Sequence, residues 1–213
     1  MSSSPRSVKI PDDERGGWSS ERPRKPGEAE RPPRPIDVSV RGRVLAPADH
    51  MRYSPSSLVL VACPDHELRD AFCERVLADQ NALLSLGKVR ALLKGRVDAA
   101  QLDAKAQELL DAAATKRLTA GHAVVVALEG LGADEREHYV RMAAPHRRPR
   151  HLVLVEVGKE RVPEDVRETL SELRTRLDAA ELGQEGFATS LRLGGNTVRE
   201  LKRIVFAPAP RDD

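Results

Sequence analysis

Leu58-Val59-Leu60-Val61-Ala62-Cys63-Pro64-Asp65-His66-Glu67-Leu68-Arg69-Asp70 is the stretch on which the fold turns. Its first five residues are a continuous apolar run, the pattern of a strand covered on both faces of a parallel sheet. A helix pattern follows over residues 66–79, with Leu68, Phe72, Val76 and Leu77 at helical spacing. A buried strand that passes through a short loop into a helix is the opening unit of an α/β domain.

The same alternation continues downstream. Residues 82–86 read as a second short strand, and residues 99–120 as a long amphipathic helix carrying Leu102, Ala106, Leu109, Leu110, Ala113 and Leu118, stopped at Gly121. Strands at 123–128 and 152–157 flank a helix at 134–144. Pro163 suits the first turn of a helix running to about residue 182, residues 187–193 close the sheet, and Asn196 is placed to cap a final helix over 198–204. Upstream, Ile36, Val38 and Val40 alternate with Asp37, Ser39 and Arg41, which predicts an edge strand.

These lengths predict a three-layer α/β fold, a parallel sheet of about five strands with helices on both faces. Ligands of such sheets bind beyond the carboxyl ends of the strands, so the loops after Ala62, Leu86 and Leu128 are where chemistry belongs.

The chain has 213 residues, 40% of them hydrophobic, enough for one well-buried domain and an appendage. Residues 1–35 hold seven prolines and many charges with little to bury, a composition that predicts a disordered Pro/Arg-rich arm. Residues 36–56 then form the edge strand and lead-in, 57–207 the α/β domain and 208–213 a tail. Lysine plus arginine number 35 against 33 acidic residues, so the net charge of +2 gives no chain-wide attraction to nucleic acid or membrane.

Two cysteines, Cys63 and Cys73, suit buried thiols in a reducing compartment rather than a disulfide scaffold. No apolar run approaches the roughly 20 residues of a membrane helix, and the N-terminus lacks a signal-peptide core, which together predict a cytoplasmic protein. The six histidines show no metal-ligand spacing with one another or with the cysteines.

Several collinear segments carry a resemblance. Arg117-Leu118-Thr119-Ala120-Gly121-His122-Ala123-Val124-Val125-Val126 leads into Leu131 to Arg136; Val162-Pro163-Glu164-Asp165-Val166 and Gln184-Glu185-Gly186-Phe187 follow in order. From about residue 57 to 206 the chain resembles a degenerate member of the polynucleotide-kinase-like, AAA-type ATP-binding family of P-loop kinases. The resemblance implies a P-loop-NTPase-like sheet and directs attention to four functional positions.

An active phosphate loop needs G-x-x-x-x-G-K-[ST]: backbone N–H groups wrap the phosphates, lysine reaches the β- and γ-phosphates, and the hydroxyl binds Mg²⁺. Here those positions read Ala62, Cys63, Pro64, Asp65, His66, Glu67, Leu68, Arg69 and Asp70, with Leu68 for the lysine, Arg69 for the hydroxyl and Glu67 for the second glycine. Losing a cation about 4 Å from a phosphate forfeits roughly 4 kcal/mol at an effective dielectric of 20, and a carboxylate there repels by a similar amount. A micromolar nucleotide is held by only about 8 kcal/mol. Arg69 restores charge incompletely, since its geometry differs from lysine and it gives Mg²⁺ no ligand.

The family's "S-S-D-x-x-R" becomes Ser85-Leu86-Gly87-Lys88-Val89-Arg90, with Gly87 where the general base is expected. Its acidic strand end becomes Ala127-Leu128-Glu129-Gly130, with Ala127 at the acidic position; Glu129 reaches the same side only if the strand continues that far, and otherwise is a solvated loop residue. Arg69, Arg90, Glu129 and Arg136 are the candidate residual contacts. The arginine-bearing lid reduces to Gly158-Lys159-Glu160-Arg161.

The resemblance with these losses implies a catalytically inactive binding or scaffolding module, with no ATP or magnesium expected and a protein partner. Two other readings stay open. One is an atypical nucleotide or polynucleotide 5′-kinase that uses ATP and magnesium through Arg69 and Glu129. The other is a nucleic-acid adaptor acting through the arm and through Arg147, Arg148 and Arg150, a basic run that otherwise reads as a solvated turn.

Overall fold

A computed structural model describes residues 38–41, as backbone, and residues 50–208. The expected arm at 1–35 and all of the tail beyond Pro208 lie outside the described residues.

The strands are β1 (Val38–Arg41), β2 (His50–Tyr53), β3 (Leu58–Ala62), β4 (Leu83–Ser85), β5 (Val124–Ala127), β6 (Arg150–Val155), β7 (Thr189–Leu193) and β8 (Arg203–Phe206). Six of them form one sheet in the order β1-β7-β6-β3-β5-β4, and every pairing is parallel. Counting from β3, the five central strands stand in chain order 2-3-1-4-5, with the first strand in the middle. This is a three-layer, P-loop-NTPase-like α/β sheet. Its switch point, where the connection from β3 runs out to β4 and the connection from β5 runs back across β3 to β6, lies beside the carboxyl ends of β3 and β5.

Alternate residues of the buried strands feed two cores. Leu58, Leu60 and Ala62 of β3 join Val124 and Val126 of β5 on the face covered by α2 (Leu86–Leu93), α3 (Leu102–Thr119), α4 (Ala133–Ala143) and α5 (Arg167–Asp178). The helix α3 buries Ala106, Leu110, Ala114 and Leu118, a strict four-residue stripe that leaves Leu109 exposed although the pattern had placed it inward.

The opposite core gathers Val59, Val61 and Cys63 with Phe72, Cys73 and Val76 of α1 (His66–Val76). Helices do not cover that face alone. The strands β2 and β8 form a parallel two-stranded ribbon, which adds Met51, Tyr53 and Ile204 to the same core.

The ribbon corrects the expected final helix over 198–204: α6 spans only Asn196–Glu200, and Ile204 lies in β8 against Met51. It also explains why α1 stops at Val76 rather than continuing to 79, because Leu77 turns to extended backbone and bridges Ile204. The helix predicted from Pro163 to about 182 is α5, preceded by a 3-10 turn at Glu164–Val166 and ended where Ala180 takes a left-handed φ of 56°. Among the described residues no helix is long and apolar enough to cross a membrane.

Candidate functional site

The loop from β3 into α1 is set by Asp65, not by glycines. Its backbone is extended (φ −115°) and its side chain accepts a hydrogen bond from the Leu68 N–H at 2.9 Å, satisfying one of the free donors at the helix start. The carboxylate that caps this turn thus occupies one N–H group that a phosphate would need and sets a negative charge beside the others. Arg161, from the short connection after β6, approaches the other Asp65 oxygen at 3.4 Å.

Arg69, one turn into α1, is 1% exposed. Its guanidinium crosses the sheet edge to β5: Nε donates to Asp70 Oδ1 at 2.8 Å, and Nη1 donates to the Leu128 carbonyl and, at 3.2 Å, to Glu129 Oε1. Burial alone pulls this guanidinium's pKa down, but Asp70 and Glu129 outweigh it and hold the pKa above the ordinary arginine value. The second Glu129 oxygen accepts from Arg90 Nη1 at 2.6 Å, and Arg90 Nε reaches Asp103 on α3 at 2.7 Å.

The strand β5 ends at Ala127, so Glu129 does not continue it. Nor is Glu129 a solvated loop residue. Its N–H donates to Glu135 Oε1 at 3.0 Å, the Gly130 N–H donates to Glu135 Oε2 at 2.8 Å, and the Glu129 carbonyl lies 2.7 Å from His66 Nε2. The loop is held from α1, α2 and α4 together.

The remaining expected positions are accounted for as follows. Leu68 packs against the α1-side core, and Ala127 is buried in it. Cys63 and Cys73 are buried thiols whose pKa values are pushed up to about 11 and about 12 by burial, so neither is a nucleophile at neutral pH. Gly87 opens α2 without steric need for glycine, since a Cβ there would meet Ser85 Oγ at an ordinary 3.7 Å. Arg136 stands apart from Arg69 and Arg90. It is buried and grips Glu185 by two hydrogen bonds of 2.9 Å, while its Nη1 donates to the carbonyls of Leu131 and Gly132. Arg136 therefore ties the loop after β5 to the turn before β7.

Sequence reasoning missed Asp103, Glu135 and Glu185 as partners. No local spacing signals them: 13 residues separate Asp103 from Arg90, and 49 separate Glu185 from Arg136.

ATP and magnesium, which a P-loop sheet implies, do not fit these residues. Both oxygens of Glu129 are taken by arginines, Asp65 is spent on the cap and on Arg161, and the lysine position carries a leucine. Asp65 and Glu129 are thus committed to partners within the protein, and the remaining carboxylate of the β3 loop region, Glu67, is exposed at the start of α1.

No protein-family model and no curated protein matches the chain. Among solved structures it is similar to one described as a "putative kinase" from Chloroflexus aurantiacus, with a TM-score of 0.40 and 14% identity, covering 69% of this chain and 88% of that one. So distant a likeness adds nothing to the strand order on which the fold assignment rests.

Proposed function

We propose that the chain is a non-catalytic relative of the polynucleotide-kinase branch of P-loop kinases, a binding or scaffolding module that holds ATP weakly or not at all. The observation that carries this reading is the Arg69–Glu129–Arg90 array, in which the protein's own charges neutralise one another where a nucleotide's phosphates and metal would compete for them. A triphosphate entering there has to break ion pairs, that of the buried Arg69 among them, before it gains any contact of its own. The absent base at Gly87 and the short connection carrying Arg161 support the same reading.

Calorimetry with Mg-ATP tests it. No saturable heat is expected at micromolar to millimolar nucleotide. Saturable micromolar binding, accompanied by transfer of the γ-phosphate to a 5′-hydroxyl oligonucleotide, would reverse the reading in favour of an atypical kinase.

A further inference from the structure

At several places arginines are matched by carboxylates: Arg69 and Arg90 by Glu129 and Arg174 and Arg192 by Glu156 at the carboxyl edge of the sheet, and Arg136 and Arg176 by Glu185 of the turn before β7. At the amino edge the turn before β6 behaves differently. Arg147 is exposed in a left-handed conformation (φ 53°), and neither it nor Arg148 forms an ion pair among the described residues. The Arg148 Nε is buried and has no hydrogen-bond partner among the described residues. A buried guanidinium nitrogen without an acceptor is costly, and an anionic oxygen is the group that best relieves it.

The Arg148 guanidinium lies against Gly121, whose missing Cβ would sit 3.3 Å from Nη2. Gly121 (φ 75°) in turn lines a cavity of about 540 Å³ at the amino ends of β3, β4 and β5. Its wall includes the aromatic residue Phe206 together with Asn81, the exposed His122 and Arg117. Asp79 also lines it, 3.7 Å from Arg117, which disfavours a phosphate inside the cavity but not a neutral ring with hydrogen-bonding edges. An aromatic platform with adjacent polar groups, beside unmatched arginines, is the arrangement that stacks a base and neutralises its phosphate.

We propose that this cavity takes a nucleobase and that the Arg147–Arg148 turn takes its phosphate, so that the amino edge binds a nucleotide, free or as a unit of a single strand. The proposal goes beyond the reading of the carboxyl edge and stands independently of it, because the two regions lie at opposite ends of the strands.

Fluorescence anisotropy on the full chain, with a labelled single strand of about 12 nucleotides, tests it. Binding is expected to weaken as salt rises from about 50 to 200 mM. Arg147→Ala/Arg148→Ala and Asn81→Ala/His122→Ala are each expected to raise Kd at least about fivefold, whereas Lys159→Ala/Arg161→Ala, removing the same charge from the opposite edge, leaves it unchanged. Circular dichroism checks that each variant is folded. Competition by AMP that is sensitive to Asn81→Ala/His122→Ala assigns the free nucleotide as ligand; competition by unlabelled strand alone assigns the polymer. No binding at low salt, binding by both amino-edge variants as tight as that of the unsubstituted chain, equal affinity for a duplex, or loss through the arginines with no effect of Asn81 and His122 would each overturn the proposal.

Discussion

Arg69 and Glu129, 60 residues apart in the chain, meet at 3.2 Å across the switch point of the sheet, and the arginine of the pair is 1% exposed. The positive charge of Arg69 is thus turned inward and consumed by the fold.

Arg69→Leu is expected to lower the free energy of unfolding by about 3 kcal/mol, measured by urea titration, because it leaves Glu129 and the Leu128 carbonyl without their buried donor. Changing Glu129→Gln as well should cost less than the sum of the two single changes, and simple additivity would show that the pair is not coupled.

Leu68→Lys supplies the lysine that the proposed kinase resemblance would require at this position and nothing else. Nucleotide-induced thermal stabilisation should remain absent in this variant, since the Asp65 cap and the Arg69–Glu129–Arg90 array are unchanged. A shift in Tm with millimolar Mg-ATP would mean that the lysine alone was limiting.

His151 is buried between Thr189 Oγ1, 2.7 Å from Nδ1, and Ser57 Oγ, 3.2 Å from Nε2. Burial lowers its pKa from 6.5 to about 4. The unfolded imidazole therefore takes up a proton first. Stability is whole above about pH 6.5 and falls as pH drops toward 4, by at most about 3 kcal/mol from this residue. His151→Gln should flatten that limb of the stability profile, and an unchanged slope would count against it.

Glu156 titrates in a lower window. Burial pulls its pKa up, but Arg174 and Arg192 outweigh that effect and hold the carboxyl below its usual range. Its contribution is present above the ordinary carboxylate pKa and is lost as pH falls through the depressed one. Glu156→Gln should lower stability at neutral pH and leave a shallower loss on further acidification, read by denaturant titrations across that range.

The strands β3, β5 and β6 are legible from sequence because a strand buried on both faces must be apolar throughout, as Leu58 to Ala62, Val124 to Ala127 and Leu152 to Val155 are. The β2–β8 ribbon is not legible. His50-Met51-Arg52-Tyr53 buries only alternate residues, and its partner lies about 150 residues away with no turn to announce the pairing. The site divides in the same way. The sequence places Leu68 and Gly87 where the resemblance would expect lysine and aspartate, whereas the choice of Glu129 as common partner of Arg69 and Arg90 depends on which loops the strand order brings together.

The ribbon also sets how the domain bears load. Because β2 and β8 run the same way, the chain enters the pair at His50 and departs past Phe206 at the opposite end. Tension applied to the two flanks strains the whole ladder at once in shear instead of peeling it rung by rung, so this small clasp resists mechanical extraction more strongly than its eight residues suggest.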